Sequence, residues 1–253
     1  MKVSVILPTY NEVENIIHLV KAVESCISDQ YDYEIIVIDD DSPDGTYRVA
    51  SNVFKDNPNV QIVLRTQDKG FAKSIRHGLE VAKGDTVVVM DSDFTHDPRE
   101  IPKLLHVGLV YDVVSGSRFC SGGQMVDLKH YLCSMAYNWL LRLLLHTQIQ
   151  DNLGGFWTAK RTVILELPLN RIFYGYGDYF YRLLYYGSRK NLSIVELPSK
   201  YLSRNAGNSK SSWVKMIYRY SLGAAALRLS TLQMHHPSST SDQMAGRFSE
   251  SKN

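Results

Sequence analysis

Asp91 and Asp93 follow the apolar run Val87-Val-Val-Met90 and stand at positions i and i+2. On a turn, that spacing lets both carboxylates reach one hard divalent cation, which can in turn bridge the oxygens of a diphosphate. The plainer alternative is a solvated turn with an aspartate capping the helix after Pro98. Company favours chemistry: Asp39-Asp-Asp41 ends another apolar run, and Tyr10 and Glu12 follow a third. A carboxylate at Asp39 or Asp40 could accept hydrogen bonds from a nucleobase or a ribose, whereas turn chemistry alone explains Pro43-Asp-Gly45. Lys69-Gly-Phe-Ala-Lys73 sets two cations and a flexible backbone ahead of a helix, a combination suited to phosphate.

Such groups need a scaffold that brings several strand ends to one edge. The spacing predicts strands over residues 3–7, 34–38, 60–64 and 86–90. Between them, Val13, Ile16, Ile17, Val20 and Val23 recur at helical spacing, and Asn11 with Glu14 has the offset of a capping box. A further helix is expected over 71–82. Val/Ile runs separated by helices imply parallel strands covered on both faces, a doubly wound α/β sheet that binds ligands at its carboxyl edge. Neither GxGxxG nor GxxxxGK[ST] follows the first strand, which disfavours a dinucleotide enzyme or a P-loop NTPase.

The second half is less regular. A helix over 128–146 would carry Leu132, Met135, Ala136, Trp139, Leu140 and Leu143 on one face, expected to be core. Residues 151–156 read as a turn, 177–186 as an aromatic helix, and 193–197 as an edge strand ended by Pro198. A last helix over 213–233 would set Lys215 and Arg219 opposite Val214, Ile217 and Leu227, the pattern of a membrane-surface helix. From Pro237 the chain is Ser-rich and expected to be disordered. The expected organisation is one α/β domain over 1–212, the amphipathic helix over 213–233 and a loose tail over 234–253.

Composition narrows the class. Over 253 residues, 44% hydrophobic and 21% charged content is that of a globular chain. Three separated cysteines support neither a disulfide framework nor a paired-cysteine metal site. No run reaches the roughly 18 apolar residues of a membrane span, and the first residues read as a strand rather than a signal peptide. These features fit a cytoplasmic chain, soluble or held peripherally at the cytoplasmic membrane face. The net charge of +2 hides an asymmetry: residues 1–116 hold 11 Lys/Arg and 19 Asp/Glu, residues 117–253 hold 17 and 7. From Leu197 to Ser241 there is no acidic residue. A membrane surface suits that basic stretch better than nucleic acid, for which no recognised module is present.

The motifs LPTYNE (7–12), IDDDSPDGT (38–46), KGFAKSIRHG (69–78), VMDSD (89–93) and SGSR (115–118) follow the order and spacing of family 2 glycosyltransferases. More narrowly, GSRFCSGG (116–123), LKHYLCS (128–134), DNLGGF (151–156) and YLSRNAGNSK (201–210) resemble dolichyl- or polyprenyl-phosphate mannose synthases. The resemblance covers about residues 1–212 and implies a GT-A fold. It also implies metal-dependent, inverting transfer of a hexose from a GDP- or UDP-sugar to a polyprenyl or dolichyl phosphate. In that reading Pro8, Tyr10, Glu12, Asp39 and Lys69 hold the donor, and Asp91 and Asp93 bind Mg2+ or Mn2+. Arg118, Lys129, His130 and Ser134 meet the acceptor phosphate, while Arg204, Ser209 and Lys210 close over the donor phosphates. Three positions depart from the subgroup. Thr95 stands where a metal-ligating glutamine is usual, His130 replaces an arginine, and the 203–210 loop lacks two acids. Asp178 occupies the place of a catalytic base in relatives that use hydroxyl acceptors, or else caps the following helix. Transfer to a glycan hydroxyl, or nucleotide-sugar binding without catalysis, are the alternatives.

Overall fold

The computed structural model describes residues 1–202 and 213–233. In chain order the strands are β1 (Lys2–Thr9), β2 (Asp32–Asp39), β3 (Val60–Leu64), β4 (Thr86–Val89), β5 (Val113–Ser117), β6 (Gln124–Met125), β7 (Trp157–Lys160), β8 (Ile194–Pro198) and β9 (Lys200–Tyr201). The helices are α1 (Ile16–Ile27), α2 (Thr46–Val53), α3 (Phe71–Val81), α4 (Ile101–Val107), α5 (Leu128–Leu145), α6 (Arg161–Leu165), α7 (Leu169–Ile172), α8 (Tyr179–Arg189) and α9 (Trp213–Gln233). Seven strands make the main sheet in the order β3-β2-β1-β4-β7-β5-β8, and β6 pairs with β9 in a small ribbon.

Alternation along the strands shows why both faces are covered. Val3, Val5 and Leu7 of β1 join Ile35 and Val37 of β2 in a core beneath α1 and α4. Ile6, Ile36 and Ile38 point the other way, into a core under α3 and α8. The four strands expected in the first half are all present, and β3 has the expected limits. Two sheet strands escaped the sequence pattern: β5 contains Ser-Gly-Ser, and β7 is only four residues long.

The first-half strands β3, β2, β1 and β4 pair in parallel, as expected. β7 runs antiparallel to both β4 and β5. Its reversal has a use, because the chain enters β7 at the edge where β4 and β5 end. Val89 and Ser115 both face Trp157, so residues 151–156 arrive beside the carboxyl end of β4.

The start of α1 is also different. Asn11 and Glu14 make no capping box; Asn11 has a left-handed backbone (φ 59°) and the helix begins at Ile16. Residues 11–13 are engaged elsewhere. Their amides donate to Ser42 Oγ, Thr46 Oγ1 and Asp44 Oδ2 at 2.9, 3.0 and 3.1 Å, which stitches the β1–α1 loop to the β2–α2 loop.

α5 has nearly the expected limits but the opposite orientation. It buries Ser134, Tyr137, Asn138, Leu141 and Leu145, whereas Leu132, Met135, Trp139 and Leu143 are exposed. α9 packs one side onto the body of the domain: Tyr220, Ala224 and Leu227 meet Tyr137 and Leu141 of α5 and Tyr181 and Tyr185 of α8 in a third core. Tyr218, Leu222 and Leu229 of the same helix are exposed. Among the described residues, no helix is long and apolar enough to cross a membrane.

Candidate active site

A cleft of about 550 Å³ lies across the carboxyl ends of the strands, closed on its far side by α5 and α9. The loops following β1, β2, β3 and β4 each contain a non-glycine residue with positive φ: Asn11 at 59°, Asp41 at 57°, Asp68 at 50° and Phe94 at 62°. For a residue as bulky as Phe94 this is a strained conformation, and it sits directly after Asp93. Such backbone persists only where surrounding structure holds it.

Pro8, Tyr10 and Glu12 line the cleft as expected, together with Lys69, whose ammonium pairs with Asp41 at 2.7 Å. Asp39, expected to meet the donor, lies behind the cleft rather than in its lining. Asp39 is fully buried and accepts from Thr9 Oγ1 at 3.0 Å, Ser42 N at 2.9 Å and Ser42 Oγ at 2.5 Å. It organises the loop from behind. Its neighbour Asp40 lines the cleft, accepting from Arg65 Nη1 and Gly70 N, both at 2.6 Å.

Asp91 and Asp93 both line the cleft. Thr95 donates to Asp93 Oδ1 through its amide at 3.1 Å and its hydroxyl at 2.6 Å. The residue that replaces glutamine thus braces a carboxylate instead of offering a ligand of glutamine's length. His96, buried between Phe156 and Tyr201, places Nε2 at 3.5 Å from Asp91 Oδ2. Among the described residues, no group of three or more His, Cys, Asp or Glu gathers in a metal-binding arrangement. Two hard carboxylate donors suit Mg2+ or Mn2+ provided that diphosphate oxygens and water complete the shell.

Gly155 supplies the room for this arrangement. A Cβ there would lie 2.9 Å from Asp91 Oδ1 and 3.0 Å from Oδ2. Gly155→Ala is expected to push the Asp91 carboxylate aside and weaken Mn2+ binding by about 10- to 100-fold, the range for disturbing a ligand's supporting contacts. Titration of Mn2+ by electron paramagnetic resonance checks this, with the far-ultraviolet circular dichroism of the apo protein unchanged.

Arg118 is deeply placed at the end of β5. It grips Asp151 through Nε–Oδ2 at 2.8 Å and Nη2–Oδ1 at 2.7 Å, and its own amide donates to Oδ2 at 3.1 Å. The guanidinium also lies 5.1 and 5.3 Å from the ring centroids of Phe119 and Tyr201. Burial opposes its charge, but Asp151 outweighs burial and moves the Arg118 pKa above its ordinary value. His130 and Ser134 line the same end of the cleft, whereas Lys129 is exposed and outside its lining. Burial, reinforced by the Arg118 charge, lowers the His130 pKa below the usual histidine value. Burial and the Asp91 and Asp93 charges push the Tyr201 hydroxyl up to about 12, so it stays protonated.

Asp178 is committed elsewhere. Its carboxylate pairs with the buried Arg182 at 2.5 Å and accepts from Tyr176 N at 2.8 Å. Arg182 also donates to the carbonyls of Ile172 and Tyr174, tying down the 172–178 segment. Asp178 stands at the N-terminal boundary of α8 without a side-chain capping bond, and it is not among the residues lining the cleft. Arg204, Ser209 and Lys210 lie outside the described residues.

Asp151, Gly155 and Tyr201 were not singled out from the sequence. Asp151 and Gly155 lie in DNLGGF, but nothing in that string announces a partner 33 residues earlier.

Comparison with known proteins agrees with this geometry. Residues 4–167 match the model of the family Glycosyl transferase family 2. The chain is 35% identical over 225 residues to a dolichol-phosphate mannosyltransferase of Pyrococcus furiosus, covering 87% of this chain and 62% of that protein. It therefore spans less than two thirds of that relative's length. An undecaprenyl-phosphate mannosyltransferase of Micrococcus luteus is 32% identical, covering 84% of this chain and 88% of the relative. Among solved structures, glucosyl-3-phosphoglycerate synthase from Mycobacterium tuberculosis, in complex with Mn2+, uridine diphosphate and phosphoglyceric acid, superposes with a TM-score of 0.66 at 20% identity. That superposition covers 90% of this chain and 78% of the other, and it supports the GT-A fold. With the motifs in order, the strand-end cleft and the family match over most of its length, the chain belongs to glycosyl transferase family 2.

Proposed function

We propose that the protein transfers a hexose from a nucleotide sugar to the phosphate of a polyprenyl or dolichyl phosphate at a membrane surface. The observation that carries this reading is the presence of two chemistries in one cleft. Asp91 and Asp93 line it together with Arg118 and His130, and Asp151 holds the Arg118 guanidinium. The two mannosyltransferase relatives, named for dolichol phosphate and undecaprenyl phosphate, support the choice of acceptor.

In this reading Tyr10, Glu12 and Asp40 receive the nucleoside, backed by Asp39, and Lys69 faces the donor phosphates. Asp91 and Asp93 would hold Mg2+ or Mn2+, which when bound offsets the charge of the diphosphate leaving group. Arg118 orients the acceptor phosphate while Asp151 fixes the guanidinium plane. The phosphate oxygen is already a nucleophile, so no strong general base is required, and attack opposite the leaving group inverts the anomeric carbon.

The engagement of Asp178 by Arg182 favours a phosphate acceptor over a glycan hydroxyl. Asp178→Asn is expected to lower the melting temperature yet hold turnover per folded enzyme within about threefold. Loss of a true general base costs about 10²- to 10⁴-fold, so initial rates with matched folded fractions separate the two.

His130 adds a pH dependence. With its pKa lowered, the imidazole is mainly neutral at neutral pH and gains charge as pH falls. The acceptor KM of His130→Gln relative to that of the parent is therefore expected to rise as pH falls below about 6.5, a ratio in which the titration of the acceptor phosphate itself cancels.

Isothermal calorimetry of the protein with GDP- and UDP-hexoses, with and without Mn2+, tests the donor half directly. Saturable, metal-strengthened binding of one of them is expected. Absence of binding to all of them defeats the proposal.

A further inference from the structure

His96 is buried beside the cleft, yet no step of the proposed transfer uses it. Its ring lies 5.2 Å from the Phe156 ring and edge-on to Tyr201 at 5.4 Å. The backbone fixes it there: His96 forms an antiparallel bridge with Tyr201, and Leu202 N donates to the Thr95 carbonyl at 2.8 Å. Neither ring nitrogen has a hydrogen-bond partner among the described residues. A buried polar atom left unpaired costs stability, and phenylalanine would fill the same aromatic slot without that cost. The ring nitrogens therefore call for a role that packing does not supply.

The nearest such role lies at Asp91. Its Oδ2 is 3.5 Å from His96 Nε2, about 0.6 Å beyond the usual N–H···O length, so a small turn of the carboxylate closes the gap. The two carboxylates of the motif are held unequally. Asp93 is braced at Oδ1 by the Thr95 amide and hydroxyl. Asp91 accepts no hydrogen bond from a described residue, and His96 is its side-chain partner. Asp91 and His96 also border a cavity of about 50 Å³ that reaches Arg118 and Asp151. The Arg118 charge acts on Asp91, so a carboxylate without a donor of its own would lean toward that cation.

We propose that His96 is a positioning residue: its Nε2–H holds Asp91 Oδ2 and so fixes the carboxylate in the orientation that receives the divalent cation. The proposal deepens the metal-binding reading given above and rests on it. His96 acts through Asp91 and is not itself a ligand, in keeping with the absence of a three-residue metal cluster among the described residues. Ligating carboxylates owe much of their affinity to partners of this kind. With the proton on Nε2, Nδ1 is left as an acceptor.

Three substitutions in the full chain test this, with Mn2+ as the probe, titrated by electron paramagnetic resonance with and without GDP or UDP. His96→Phe keeps the ring and removes both nitrogens. His96→Gln sets an amide nitrogen near the place of Nε2, and His96→Asn sets one near that of Nδ1. His96→Phe should weaken Mn2+ binding by about tenfold or more, and His96→Asn should do the same. His96→Gln should stay within about threefold of the parent. The metal-free His96→Phe variant should melt no lower than the parent, because two unpaired buried atoms have gone, and a loss of packing would instead lower the melting temperature. Parent-like Mn2+ affinity in His96→Phe would overturn the proposal. So would retention in His96→Asn with loss in His96→Gln, a comparison that decides the matter even where His96→Phe fails to fold. Failure of the metal-binding reading looks different: the parent itself then shows no saturable Mn2+ binding, which defeats both.

Discussion

Asp93→Asn is expected to lower kcat/KM by about a thousandfold while leaving the fold intact. The side chain is nearly isosteric, and its amide oxygen can still accept the Thr95 amide and hydroxyl that now bond Asp93 Oδ1. What disappears is the negative charge on a buried oxygen facing the cleft. A divalent ion bound by only two protein carboxylates loses much of its protein-derived attraction when one becomes neutral. Preorganised charge at a leaving group is worth about 10²- to 10³-fold per donor, and loss of the ion itself costs more. Removing one of two neighbouring carboxylates also relieves repulsion, so the metal-free variant should melt no lower than the parent. A rate loss caused by unfolding would instead lower both together. Thermal melts without metal, paired with initial rates across a Mn2+ titration, read the difference.

Arg118→Ala is expected to damage stability and acceptor binding together, and a second substitution should separate them. Asp151 is fully buried, and the guanidinium is its bidentate partner. Truncation leaves a buried carboxylate held by the amides of Arg118 and Leu153. Breaking such a pair costs about 3 to 5 kcal/mol; the surviving amides put the expectation near 3. Arg118→Ala/Asp151→Asn removes the orphaned charge and should recover most of that loss in urea unfolding. Acceptor binding should not recover, because the cation that would meet the phosphate is still missing. A KM for prenyl phosphate raised by about tenfold or more in both variants is the expected signature. Recovery of both properties in the double variant would make Arg118 purely structural.

The first half of the fold was legible because its strands are runs of β-branched residues closed by polar loops. β7 was hidden for the opposite reason: four residues provide too little pattern, and nothing local announces an antiparallel strand between β4 and β5. The site shows the same division. Asp91 and Asp93 stood out by spacing and position. For Asp39 and Asp40, neighbours at a strand end point to opposite sides, and the sequence alone does not say which side holds the cleft. Asp178 did carry a readable signal, since Arg182 lies four residues on and such pairs meet on a helix. α5 is the most instructive case. Its apolar periodicity was correctly read, but periodicity identifies a face without naming the medium that covers it. Tyr137 and Asn138, polar enough to look external, form the buried side through partners distant in sequence.

The central claim is that a sugar moves from a nucleotide to a lipid phosphate in this cleft. The most direct measurement supplies radiolabelled GDP- and UDP-hexoses, Mn2+ and a polyprenyl phosphate, then partitions the products between organic and aqueous phases. Label is expected in the organic phase, in a mild-acid-labile phosphodiester, dependent on both metal and acceptor and abolished by Asp93→Asn. Label confined to an aqueous saccharide product, with Asp178→Asn as the disabling substitution, would contradict it.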